Sequence, residues 1–303
     1  MSEHHHHHHH EVTGTKLFIT VLLNVIITLS QVVGGILSGS LALLSDALHN
    51  FSDVVALVTV YVANRIAQRK PTAERTFGYK RIELLAALGN GVVLVGVALF
   101  LIMEAVQKLQ HPEPIASNWV IGLALLSIVL NWVSVVLVSE DAKSNSNVKA
   151  AYLHLMTDVM TSVAVLVGGV AMLFWQVYWI DPIISLMIAG YLMFASWDLI
   201  RQTSSTLMLF TPDEVQAEQV VEVVQQFPEI ENIHHLHLWK LDDHEVHLEA
   251  HLDFKEDLPL SQVTKVLEAL EQRLAETLAI QHFNLQPEFD REDDKSLILE
   301  SEK

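Results

Sequence analysis

Two short stretches of this sequence repeat one pattern, His-x-x-x-Asp: His49 with Asp53, and His154 with Asp158. On a helix, a separation of four residues stacks two side chains one turn apart on a single face. Each segment therefore presents one imidazole and one carboxylate to the same side, and two such faces together supply four ligands. Two nitrogens and two carboxylate oxygens arranged as a tetrahedron suit Zn2+, with Co2+ and Cd2+ as neighbours, whereas Mg2+ and Ca2+ take six or more oxygens. The chain has no cysteine. Disulfides and thiolate sites are thereby excluded, and any metal must be held by His, Asp or Glu.

The elements that carry these motifs are apolar. Of 303 residues, 51% are hydrophobic and only 18% charged, too apolar a balance for a soluble protein of this length. A helix needs about 20 apolar residues to cross a bilayer. Six runs qualify, at about 16–38, 40–66, 79–108, 118–139, 147–176 and 180–203. The first is too long, and too closely followed by a second, to be a cleavable leader. The motifs fall in the second and fifth spans. An Asp placed mid-membrane costs at least about 2.5–3.5 kcal/mol and normally marks an ion path or proton relay. Two carboxylates and two neutral imidazoles sum to −2, so one dication neutralises the loaded site, while the empty site favours proton uptake. Metal/proton exchange is the expected coupling. Asp46, three residues before His49, is a candidate relay or outer-shell acceptor. A membrane-anchored metal sensor or buffer is the alternative function. An intramembrane hydrolase ranks last, because four protein ligands leave no open metal position.

Basic residues set the orientation. Arg65, Arg69, Lys70, Arg75, Lys80 and Arg81 follow the second span. That loop is expected in the cytoplasm, and six spans then place both termini there. After position 210 the chain carries 23 acidic against 7 basic residues, which argues against nucleic acid and anionic headgroups and suits cations. This segment reads as αββαβ: a helix at 213–227 entered through Thr211, Pro212, Asp213 and Glu214, strands at 232–240 and 245–254, a helix at 261–279 and a strand at 282–289. So small a domain has a thin core and gains from pairing with a second copy, so a homodimer is expected. The expected organisation is a His-rich segment at 1–15, a six-span all-α transmembrane domain at 16–207, an α+β domain at 208–290 and a mobile charged tail at 291–303. The His4–His10 run is either a purification tag or a native metal-gathering tail. Gly34, Gly35, Gly39, Gly89, Gly91 and Gly96 read as points of close helix approach.

These residues resemble the cation diffusion facilitator family of metal/proton antiporters, in its bacterial zinc, cobalt and cadmium branch. Beyond the two His/Asp pairs, the resemblance rests on Ser40 to Asp46, on Arg75-Thr76-Phe77-Gly78-Tyr79 with Arg81, Ile82 and Glu83, and on Asn147 to Tyr152. Asp181-Pro182 and Ile233 to Trp239 extend it along nearly the whole chain. It implies a homodimer with a cytoplasmic ferredoxin-like domain in a bacterial inner membrane, exporting Zn2+ against protons through a site of His49, Asp53, His154 and Asp158. Relatives with Asp at the first His tend toward broader or manganese use, so His49 points to zinc. Some relatives carry His in the loop after span two, where this chain has Arg75 and Tyr79.

The C-terminal segment holds further histidines. Alternation along its second strand places Val246, Leu248, Ala250, Leu252 and Phe254 on one face and His247, Glu249, His251 and Asp253 on the other, either a metal face or a solvated one. By resemblance, His234, His251 and Glu288 match a cytoplasmic regulatory metal site, with His237 a further candidate. The run His244-Glu245-Val246-His247 lacks the helical metalloprotease spacing and reads as strand. No enzyme and no cofactor are expected; Zn2+ is substrate and possible regulatory ligand.

Overall fold

The structure, a computed structural model, describes residues 14–139, 146–242 and 245–298. The His4–His10 run and His244 lie outside the described residues. Six helices, α1 (Gly14–Ser38), α2 (Leu41–Ala67), α3 (Ile82–Gln110), α4 (Ser117–Ser139), α5 (Ser146–Trp175) and α6 (Ile180–Leu207), precede a domain of α7 (Ala217–Val224), β1 (Ile230–Lys240), β2 (Val246–Phe254), α8 (Leu260–Leu278) and β3 (His282–Glu288). All six leading helices are long and apolar enough to cross a membrane. Large apolar side chains stand exposed along them, among them Val93, Phe100, Met103, Phe174, Met187 and Phe194. In water such a surface would be an association site; in lipid it is the required exterior.

Contacts divide the chain into two units, Met1–Tyr61 with Gly89–Leu199 and Val62–Leu88 with Ile200–Lys303. The first unit packs around Leu41, Leu43, Leu101, Val120, Met172 and Ala189, all nearly inaccessible. Close approach comes from glycine at Gly34, Gly35, Gly168 and Gly169, where a Cβ would meet a neighbouring helix. A Cβ at Gly35 would lie 3.2 Å from the Leu44 backbone nitrogen, and one at Gly169 would lie 3.1 Å from Val120 and Ile121. A Cβ at Gly39, Gly89 or Gly96 would meet nothing within 4 Å, so close approach does not explain those three; Gly39 instead sits at a φ of 72° between α1 and α2.

In the second unit, the sheet runs β1-β2-β3, with β1 and β2 antiparallel and β2 and β3 parallel. The parallel return is made by α8, the right place for a crossover helix. Leu248, Ala250 and Leu252 of β2 face Val220 of α7 and Leu270 and Leu274 of α8 in one core. The αββαβ order is as expected from sequence.

Two local expectations are corrected. Helix α7 begins at Ala217 rather than 213, with Gln216 and Gln219 forming a reciprocal capping box. Asp213 and Glu214 precede it, and Glu214 instead accepts from Lys240 Nζ at 2.7 Å, which holds its carboxyl below the usual range. The second correction concerns the tail. Ser296 and Leu297 offer carbonyls to the backbone N–H groups of His235 and Leu236 at 3.2 and 2.8 Å, and Lys295 Nζ lies 2.7 Å from Asp253 Oδ1. Residues 290–298 are therefore tied to β1 and β2 instead of being loose.

Candidate metal centre

Helices α2 and α5 bring their motifs face to face. His49 Nε2 lies 3.3 Å from Asp158 Oδ1 and 3.8 Å from Asp53 Oδ2. His154 Nε2 lies 3.2 Å from Asp53 Oδ2 and 3.9 Å from Asp158 Oδ2. The two imidazoles meet edge to face with ring centres 5.8 Å apart. Ligands about 2.0–2.1 Å from a tetrahedral zinc are about 3.3 Å from one another, the scale of the shorter imidazole–carboxylate distance made by each histidine. His49, Asp53 and Asp158 each offer an atom within 4.8 Å of the others; His154 is outside that group and lies beside the two carboxylates, nearer to Asp53.

These donors have little else to bind. Both nitrogens of His49, both oxygens of Asp158 and Oδ2 of Asp53 are buried without a hydrogen-bond partner among the described residues. Leaving so many polar atoms unsatisfied in a buried place is costly. A dication or protons would satisfy them at once. Burial is graded across the cluster: the Asp158 side chain is fully inaccessible, Asp53 is 21% exposed and His154 is 41% exposed.

Behind His49 runs a polar chain that sequence reasoning located only at Asp46. Asp46 Oδ2 accepts from Gln31 Nε2 at 2.5 Å and from Ser162 Oγ at 3.2 Å. Gln31 Oε1 accepts from Asn50 at 3.1 Å, and Ser162 meets Ser127 at 2.8 Å. One helical turn before His49, Asp46 thus ties α1, α2 and α5 together. Gln31, Asn50 and Ser162 stand out in the sequence only as polar residues within apolar spans. That is the signal that finds them.

A second cluster sits on the sheet. His234 Nε2 is 3.5 Å from both Glu288 Oε2 and Asp293 Oδ2, and its Nδ1 is 3.1 Å from Asp253. His251 Nδ1 is 2.9 Å from Glu288 Oε1. His234, His251 and Glu288 are thus gathered with Asp293 as a fourth donor. His237 stays apart. Two residues of β1 oppose one of β2 between His234 and His237, with His235 at a φ of 50°, so the chain bulges there. His237 is left exposed, beside His235 at 5.1 Å between ring centres. Lys295 bonds to Asp253 and Asp293, and Arg291 bonds to Glu288. The Lys295 ammonium holds the Asp293 carboxyl down at about 2.

Residues 17–208 match the cation efflux transmembrane domain, and residues 212–289 match the cation efflux protein cytoplasmic domain. The chain belongs to the cation efflux family. It is an integral membrane protein that transports metal cations. Its relatives include the cadmium, cobalt and zinc/H(+)-K(+) antiporter of Bacillus subtilis, 30% identical over 89% of this chain and 87% of that one. The metal cation efflux system protein CzcD of Cupriavidus metallidurans is 34% identical over 85% of this chain and 81% of its own. The zinc transporter ZitB of Pectobacterium atrosepticum is 34% identical over 88% of this chain and 82% of its own.

Proposed function

We propose that this cation efflux protein exports Zn2+ from the cytoplasm in exchange for protons, carrying the ion between His49, Asp53, His154 and Asp158. Co2+ and Cd2+ are secondary substrates. One observation carries the reading: four metal-competent side chains from two apolar helices converge, and His49, Asp53 and Asp158 among them carry buried donor atoms otherwise unsatisfied. The charge of −2 on the two aspartates is cancelled by one dication, and protons replace it when the ion leaves. Relatives named for zinc, or for zinc and proton antiport, support the choice of substrate and counter-ion.

The basic loop after α2 supports cytoplasmic termini in a bacterial inner membrane, with 16–207 as the transmembrane domain and 208–290 as the cytoplasmic one. The small core of the latter supports a homodimer. His234, His251, Glu288 and Asp293 then form a regulatory metal site on the cytoplasmic side, the tail contributing Asp293.

Proteoliposome flux tests the reading. Purified protein takes up Zn2+ against an opposing proton gradient and moves protons the other way, and Asp53→Ala or Asp158→Ala abolishes both. Zinc flux retained in both variants would place the pathway elsewhere. Zn2+ bound by the wild type with no flux under any gradient would favour a metal buffer.

A further inference from the structure

At the far end of the β2–β3 pair, a third group of metal-competent side chains is built from residues outside both clusters described above. His247 of β2 and His282 of β3 are register partners in the parallel ladder. Their rings stack with centres 4.5 Å apart and planes 16° from parallel. Glu245, just before β2, turns Oε2 toward both: 3.9 Å from His247 Nε2 and 3.6 Å from His282 Nε2. His247 and His251 are four residues apart on one strand, about 13 Å at the usual rise, so this group is distinct from the His234 cluster.

We propose that Glu245, His247 and His282 form a separate divalent transition-metal site of the zinc class. Two imidazoles and one carboxylate are a zinc donor set, with the fourth position left to water. The three donor atoms all lie within 4.8 Å of one another, so they must draw together by up to about 1.5 Å to reach the ligand spacing of a tetrahedral ion. Glu245 Oε2 and His247 Nε2 are buried and lack a hydrogen-bond partner among the described residues. Both therefore face the same point with their bonding capacity unused. Trp239 stacks on the other face of His247, 5.3 Å between ring centres and 20° from parallel, which fixes the imidazole plane. His282 is 55% exposed and gives an ion its way in.

The remaining oxygen of Glu245 ties this site to another part of the same unit. Glu245 Oε1 accepts from Lys80 Nζ, in the connection between α2 and α3. One carboxylate thus serves Lys80 through one oxygen and the metal through the other. Occupancy of the site draws charge from the bond to Lys80, so the α2–α3 connection senses the ion.

Residue-resolved labelling of the full-length protein in detergent tests this, with Zn2+ alone as the probe and carbethoxylation of His282 by diethyl pyrocarbonate read by mass spectrometry. At zinc about ten times its half-saturating concentration, His282 is expected to react about tenfold more slowly. Glu245→Gln and His247→Gln each remove that protection, whereas Asp158→Ala and His251→Ala preserve it. Glu245→Gln keeps an acceptor for Lys80, so its effect reports the lost charge rather than a lost fold. The proposal is overturned if zinc leaves the His282 rate unchanged, since the stacked rings are then an aromatic ladder only. It is also overturned if protection survives both Gln variants, or disappears in His251→Ala. Loss of transport in Asp158→Ala bears on the intramembrane site alone, so the two readings fail independently.

Discussion

Asp181, the second residue of α6, accepts the backbone N–H of Leu41 at 2.7 Å, 140 residues away in sequence. The same oxygen accepts from Ala42 at 3.3 Å, and the other accepts from the Ser40 hydroxyl. A fully buried carboxylate therefore caps the first turn of α2, where N–H groups have no helical partner and the helix dipole is positive. The helix it fixes carries His49 and Asp53.

Asp181→Ala should lower stability by about 1–2 kcal/mol, the range of a lost N-cap. Asp181→Asn, which retains an acceptor, should lose less. Thermal unfolding in detergent, followed by tryptophan fluorescence, checks the order. Zinc affinity should fall alongside, because the cap sets where α2 begins.

The graded burial of the intramembrane cluster separates its members. Asp158→Ala removes an inaccessible anion that water cannot replace and should weaken Zn2+ binding by more than about 100-fold. His154 is partly exposed, so water can take its place, and His154→Ala should fall within about 10- to 100-fold, the scale of a supporting ligand's loss. Isothermal titration of the detergent-solubilised variants reads both. Equal losses would contradict the gradient.

His49→Asp exchanges a nitrogen for an oxygen and adds a negative charge. Oxygen-rich sites favour harder ions, so zinc flux should fall and manganese flux rise in proteoliposomes. An unchanged Zn2+ to Mn2+ ratio would show that His49 does not choose the ion.

Lys295→Ala frees the carboxylates of the sheet cluster. Asp293 has a folded value depressed from 3.8 to about 2, so its pairing is fully present above about pH 4 and is lost as pH falls through about 2. In the variant, its carboxyl carbon should titrate back toward the ordinary range by NMR. Zinc should bind the His234 cluster more tightly, by up to about tenfold, because the ion no longer competes with an ammonium. A Zn2+ titration showing weaker binding would make Lys295 a support of the site rather than a rival for it.

The intramembrane cluster was legible because four-residue spacing inside a helix dictates a shared face whatever surrounds it, and a buried carboxylate in an apolar span has few other uses. Asp181 was legible only as part of a motif, since its role depends on α2 and α6 meeting end to end. The strand alternation at His247 and His251 was read correctly from period alone. His237 was a candidate beside His234, and the extra residue at His235 puts both opposite the same face of β2, across from Glu249 and His251. Asp293 and Lys295 escaped for a different reason. A charged terminal run reads as solvated until a partner surface is known, and theirs is assembled from β1, β2 and β3.

The tail's carbonyls occupy backbone donors of β1, one of the two outer strands of its sheet. Cutting the chain at Asp290, an inviting place to prepare a soluble fragment, would bare that strand's rim and leave it open to edge-to-edge pairing with strands of other molecules.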